Sequence, residues 1–284
     1  MAARGAGGRV KYPVPMRFEK WHGTGNHHIV VEQAKLDAPM SPERAIELCN
    51  AQFGVGADGV LEVSFDSEGP RMTVWNADGS QAENCGNGIR IVAAYLAREG
   101  RLPADGLVLT GRERTHVELL GDGLVRVRMG QAVLPKGPTP TSLRTSLGPV
   151  EFLEVSMGNP HAVIQDPQPG VRVAQLGSEL ETHAHFPHRT NVEFVRTDGP
   201  SELTMRVWER GVGETLSCGT GACATAVAAV VAHGAVSPLT VHVGGGSLVI
   251  DVDEDLAVTM TGPVEHVYSG ELSPGFSASL TGVY

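Results

Sequence analysis

Short stretches of alternating apolar and polar residues recur along this chain, many of them closed by glycine. Alternation of that period marks strands with one buried face. Arg17–Trp21 and Ile29–Glu32 read as strands about a glycine-rich turn, and Gly59–Ser64 and Arg71–Trp75 as two more. Ser41-Pro42-Glu43 has the composition of a helix start, a serine cap followed by proline in the first turn. Behind Cys85-Gly86-Asn87-Gly88 the period changes, and Ile89, Val92, Ala93 and Leu96 fall at helical spacing. Val117–Leu120 and Leu124–Met129 form a predicted hairpin about Gly121-Asp122-Gly123. The order then returns: strands at Leu153–Met157, Asn191–Arg196 and Glu202–Trp208, and a helix of Ala, Thr and Val from Gly221. A second hairpin follows, Thr240–Val243 and Ser247–Val252 about Gly244-Gly245-Gly246.

The recurrence is an internal repeat at one offset. A shift of 133 residues (218 − 85) lays Gly25-Asn26-His27-His28 on Gly158-Asn159-Pro160-His161. The same shift lays Met72, Val74 and Trp75 on Met205, Val207 and Trp208, and Cys85-Gly86-Asn87-Gly88 on Cys218-Gly219-Thr220-Gly221. Three separated matches in one register are far beyond what chance supplies. The predicted fold is α/β (α+β): two pseudo-symmetric domains, each a mostly antiparallel sheet or barrel around a central helix. The helices behind the cysteines are almost wholly apolar, which predicts burial on all sides. Pro135-Lys136-Gly137-Pro138-Thr139-Pro140 opens a predicted linker at 135–148. The first domain is placed at 16–134 and the second at 149–284, its last strand free to return to the first. Residues 1–15 lack the apolar segment of a signal peptide and read as a disordered leader.

Composition narrows the function. A net charge of −10, with Lys and Arg scattered, argues against a nucleic-acid partner. No apolar run approaches the roughly 18 residues of a membrane span. Four cysteines without a secretion signal are too few for a disulfide scaffold and read as reduced thiols of a cytoplasmic protein. No C-x-x-C or close Cys/His set occurs, so no metal site is expected.

Cys85 and Cys218 each stand directly before a Gly-x-Gly that opens a helix. A helix N-terminus offers free N–H groups and a partial positive charge, both of which favour a thiolate and lower its pKa. The glycines let the same N–H groups approach and cradle a carboxylate. A lone cysteine before a buried helix is more often structural than catalytic. Two related by a repeat can face opposite sides of one carbon, the geometry that stereoinversion requires. Cys49 lies in the apolar register of its helix and Cys223 inside the second buried helix, so both read as core. Asn76 and Glu209 each precede their cysteine by nine residues (85 − 76 and 218 − 209), and Asn26 and Asn159 each follow a glycine. Singly, such asparagines are turn formers; as a symmetric set they suit a zwitterionic ligand. Arg210 could hold a carboxylate bidentately, or pair at the surface with Glu209 or Glu214.

At these residues the chain resembles the diaminopimelate epimerases. The resemblance runs through Phe18–Asn26, Gly54–Gly59, Asn76–Ser80 with Cys85–Gly88, Ser156–His161, and Glu209–Thr215 with Cys218–Gly221. It implies two α/β domains closing on an amino-acid substrate, usually as a homodimer, with no cofactor. It also implies interconversion of LL- and meso-diaminopimelate on the bacterial route to lysine and cell wall. By position, Cys85 and Cys218 are then the catalytic pair, assisted by His161 and Glu209. Asn26, Asn76, Asn159, Asn191, Glu209 and Arg210 correspond to substrate binders, and the backbone of Gly86-Asn87 and Gly219-Thr220 to the carboxylate cradle. The chain departs from the family at His27-His28, where Asp-Phe is common, and at Gly59, where many members have Gln. Relatives on this fold include proline and histidine racemases, so a racemase of another amino acid is the first alternative. A thiol redox pair separated by 133 residues (218 − 85), and a binding module with two idle helix-terminal thiols, account for less of the pattern.

Overall fold

A computed structural model describes residues 16–280 apart from 83–84, 112, 167 and 169–171. The expected leader, 1–15, lies outside the described residues.

The first half runs β1 (Arg17–Gly23), β2 (Asn26–Glu32), α1 (Pro42–Cys49), β3 (Gly59–Asp66), β4 (Gly69–Asn76) and β5 (Gln81–Ala82). It continues through α2 (Gly86–Arg98), β6 (Asp105–Thr110), β7 (Glu113–Gly121) and β8 (Leu124–Gln131). The second half begins with β9 (Thr141–Thr145), β10 (Gly148–Ser156), β11 (Pro160–Gln165), α3 (Val173–Glu181), β12 (Asn191–Gly199) and β13 (Glu202–Glu209). It ends with β14 (Gly213–Thr215), α4 (Gly219–His233), β15 (Leu239–Val243), β16 (Gly246–Val252), β17 (Ala257–Pro263), β18 (Glu265–Glu271) and α5 (Pro274–Leu280).

Strand pairing repeats step for step. β1–β2 and β10–β11 are antiparallel hairpins; β2–β3 and β11–β12 pair in parallel across the crossover helices α1 and α3. β3–β4 and β12–β13 are antiparallel, and the parallel pairs β4–β6 and β13–β15 flank α2 and α4. The halves are also tied to each other: β8 pairs with β17, and β18 pairs with β1. β9, which lies inside the stretch expected to be a linker, pairs with β10. Thus the strand that follows β8 docks on β10, and the strand that follows β17 docks on β1, the equivalent strand of the first half.

Sequence accounts for the central helices. From Gly221 to Ala229 every residue of α4 is buried, and its side chains are short enough to let sheet pack on every side. α2 is buried from Gly86 to Ala93, including the full length of Arg90. Both helices share one large core, to which β4, β8, β13 and β16 contribute Met72, Val127, Met205 and Ile250. Smaller cores lie under α1 and α3. Cys49 belongs to the α1 core and Cys223 to the central one, as their registers predict.

Candidate active site

Each of the two cysteines is the N-cap of a central helix. Cys85 has an extended backbone (φ −148°, ψ 99°), and its sulfur accepts from the Gly88 N–H at 3.3 Å. Cys218 repeats this, with φ −121°, ψ 113° and the Gly221 N–H at 3.4 Å. The sulfur stands where a serine oxygen would stand in an ordinary cap. A side chain three residues on would crowd the site, since a Cβ on Gly88 would lie 2.9 Å from Leu61 Cδ2 and one on Gly221 would lie 2.8 Å from Glu193 Oε1.

The two helix N-termini converge. A Cβ on Gly86 would lie 2.9 Å from the methyl carbon of Met260, and one on Gly219 would lie 3.4 Å from the same atom. Asn87 spans the halves: its amide nitrogen lies 3.4 Å from the Ser217 carbonyl oxygen and 3.2 Å from Asn26 Oδ1. Arg90 fixes that amide by donating to Asn87 Oδ1 at 3.0 Å.

Around Cys218 the polar groups form a chain. Thr220 Oγ1 lies 3.5 Å from its sulfur and accepts from Asn159 Nδ2 at 3.3 Å. Asn159 Oδ1 is 3.0 Å from His161 Nε2, and His161 Nδ1 is 2.7 Å from Glu193 Oε1. Glu209 accepts from Thr215 Oγ1, and its charge acts on Cys218. Burial pushes the carboxyls of both Glu193 and Glu209 above the usual range. Around Cys85 there is less: the Gly88 N–H, and His28 Nε2 at 4.0 Å.

The expected lowering of the thiol pKa values is not found. Burial, helped by Glu209, raises Cys85 despite the Gly88 N–H, and burial raises Cys218 well above its ordinary value, helped by Glu209 and Glu193. A helix terminus supplies partial charge, and removing a thiolate from water costs more than that returns. In this state both are thiols.

Most of the predicted residues meet at this junction, namely Cys85, Gly86, Asn87, Asn26, Cys218, Gly219, Thr220, Asn159, His161 and Glu209. Three stand apart from the sulfurs. Asn76 bonds its own turn, donating to Ser80 Oγ at 2.9 Å. Asn191 donates to the Pro160 carbonyl and accepts from the Arg210 N–H, each at 3.0 Å. The Arg210 side chain is exposed and donates to the His188 carbonyl at 3.3 Å, while Glu214 pairs with Arg206 instead. Two residues to which sequence reasoning gave no site role are His28 and Glu193. His28 was marked by the repeat, which lays it on His161. Glu193 carried no signal beyond lying two residues after Asn191. Among the described residues, no three His, Cys, Asp or Glu side chains are grouped as a metal site needs, and no helix is long and apolar enough to cross a membrane.

Comparison with known proteins gives a consistent picture. The sequence profile of the diaminopimelate epimerase family matches residues 18–135 and 153–267. A diaminopimelate epimerase of Desulfitobacterium hafniense is 40% identical over 279 residues, covering 90% of this chain and 98% of that protein. One of Synechococcus elongatus is 42% identical over 277 residues, with 90% and 98% covered. Among solved structures, a hydroxyproline epimerase from Agrobacterium vitis superposes with a TM-score of 0.68 at 15% identity, covering 90% of each chain. A phenazine biosynthesis protein of the PhzF family from Bacillus anthracis gives 0.68 at 14% identity, covering 92% of this chain and 99% of its own. Those two show the fold alone.

Proposed function

This chain belongs to the diaminopimelate epimerase family, and from that membership and the junction of its two cysteine-capped helices we propose that it interconverts LL-2,6-diaminopimelate and meso-diaminopimelate by proton transfer between two cysteines. The observation that carries the reading is the meeting of two cysteine-capped helix N-termini at Met260. A substrate α-carbon held at that junction has one sulfur on each side. One cysteine, as thiolate, removes the α-proton; the other, as thiol, delivers a proton to the opposite face and inverts the centre.

The carbanion formed between these steps carries charge onto the adjacent carboxylate. Fixed N–H donors aimed there lower the barrier, and the backbone of Gly86-Asn87 and Gly219-Thr220 supplies them at two helix N-termini. His161 and Glu209 assist Cys218 through the polar chain behind it. The remote amino-acid end of the substrate is held by Asn26, Asn76, Asn159, Asn191, Glu209 and Arg210, for which the exposed Arg210 leaves the His188 carbonyl. The reaction runs without pyridoxal phosphate. The enzyme works as a cytoplasmic homodimer supplying lysine and cell-wall precursors.

Incubation with LL-diaminopimelate followed by chiral chromatography tests the substrate. The meso isomer should appear and approach an equilibrium mixture, while L-proline, hydroxyproline and L-histidine stay unchanged. Racemisation of one of these with diaminopimelate untouched would contradict the reading.

A further inference from the structure

Two of the departures from the family pattern, His28 in β2 and Gly59 in β3, lie side by side. They face each other in the parallel β2–β3 register. A Cβ on Gly59 would lie 3.4 Å from His28 Cδ2, 3.5 Å from its Nε2 and 2.6 Å from the Trp75 carbonyl oxygen. The absent side chain leaves its space to the imidazole. The ring is 3% exposed, its Nε2 lies 4.0 Å from Cys85 Sγ, and its Nδ1 is buried without a hydrogen-bond partner among the described residues.

The other half shows what this arrangement lacks. His161 faces Asn191 in the equivalent β11–β12 register, and both its ring nitrogens are engaged, one by Glu193 and one by Asn159. Two residues beyond Gly59 stands Leu61, where two residues beyond Asn191 stands Glu193. His161 is therefore locked by a carboxylate, whereas His28 has none at that place and turns its Nε2 to a sulfur.

Resting on the two-thiol reading above, we propose that His28 is the proton acceptor of Cys85: Nε2 takes the Sγ proton and leaves the thiolate that removes the substrate α-proton on that face. That thiolate takes up the α-proton and is a thiol again. Cys218 gives its own proton to the opposite face, where the electron pair of the broken C–H bond forms the new one. Cys218 is left as thiolate and His28 as imidazolium, and solvent returns the proton from one to the other once product has gone.

The groups that face the ring are consistent with this. Burial holds His28 down at about 4, outweighing the Asp58 carboxylate and the Asn26 backbone, which both raise it, with Lys20 and His27 adding to the lowering. At neutral pH the ring is uncharged and can accept, but the burial that keeps it so also weakens it as a base, and transfer from the raised Cys85 thiol runs uphill. An isolated imidazolium is costly here, but transfer from Cys85 makes an ion pair of no net charge, whose attraction offsets part of that cost.

Two variants test the proposal. His28→Phe keeps a ring and removes the base, and His28→Gln keeps a hydrogen-bonding group without a base. Turnover of LL-diaminopimelate should fall about a hundredfold in each with KM held, and iodoacetamide should alkylate Cys85 about tenfold more slowly at neutral pH with Cys218 unchanged. Peptide mass spectrometry reads each thiol, and thermal melting confirms the fold; if His28→Phe unfolds, His28→Gln carries the same readouts. A folded variant with wild-type turnover and wild-type Cys85 alkylation overturns the proposal. Cys85→Ala, run alongside, separates the two claims: an active Cys85→Ala defeats the two-thiol reading, whereas an inactive one beside a fully active His28 variant defeats only the role of His28.

Discussion

The Cys85 and Cys218 halves share a backbone and differ in what stands behind each sulfur. Both sulfurs cap a buried helix, accept from the N–H three residues on, and face a histidine-bearing strand paired in parallel with its neighbour. Behind Cys218 stand two buried carboxyls, Glu193 and Glu209, with His161 bound at both nitrogens. Behind Cys85 stand Leu61 and a histidine whose Nδ1 is unpartnered. The symmetric part of the molecule thus provides geometry, and the asymmetric part provides the proton inventory. Beyond burial, the Glu209 carboxylate raises both thiols, and Glu193 adds to Cys218, which is therefore held as a thiol more firmly than Cys85.

Removing either sulfur breaks the comparison outright. Cys85→Ala and Cys218→Ala should each lose at least a hundredfold in turnover, since neither half can serve both faces. Thermal melting and substrate binding should stay near wild type in both. Retention of more than about a hundredth of wild-type turnover by either variant would show that its thiol is not the acid/base group.

A smaller effect sharpens the asymmetry. Glu193→Gln removes a negative charge beside Cys218 while keeping the side chain's shape next to Gly221. A carboxylate disfavours a neighbouring thiolate, so its loss should move the Cys218 thiol downward in pH and leave Cys85 where it is. Alkylation followed against pH reads this directly. In the wild type Cys85 should react at lower pH than Cys218, and in Glu193→Gln the gap should narrow. Turnover should fall only about tenfold, or ~1.4 kcal/mol of barrier. An unchanged gap would mean that Glu193 does not set the difference.

The parts legible in the sequence were those with a local cause. Cysteine before Gly-x-Gly marks a helix start and a capped sulfur whatever surrounds it, and both were placed correctly. Alternation together with β-branched content found β3, β4, β12 and β13. It passed over β11, where Pro160–Gln165 is buried on both faces and has no alternation, and β18, whose residues are mostly exposed. α3 begins without a side-chain cap and gave no start signal. The pKa direction of the thiols was misjudged because the helix terminus is written in the sequence, whereas the desolvation that outweighs it belongs to the packed fold. Glu193 was invisible for the same reason: it lies in a run from Asn191 to Val195 in which every residue is buried.

Isotope entry from solvent tests the opposed pair most directly. In deuterated water the thiol that delivers the new proton has already exchanged, while the thiolate that removes the old one has not. Starting from LL-diaminopimelate, early mass spectra of the separated isomers should show deuterium at the inverted carbon of the meso product from the first turnover. The remaining substrate should be almost unlabelled, and the distal stereocentre of the product unlabelled in these early turnovers. Equal initial labelling of substrate and product would require one group to serve both faces, and would contradict the assignment of Cys85 and Cys218 to opposite sides of a single carbon.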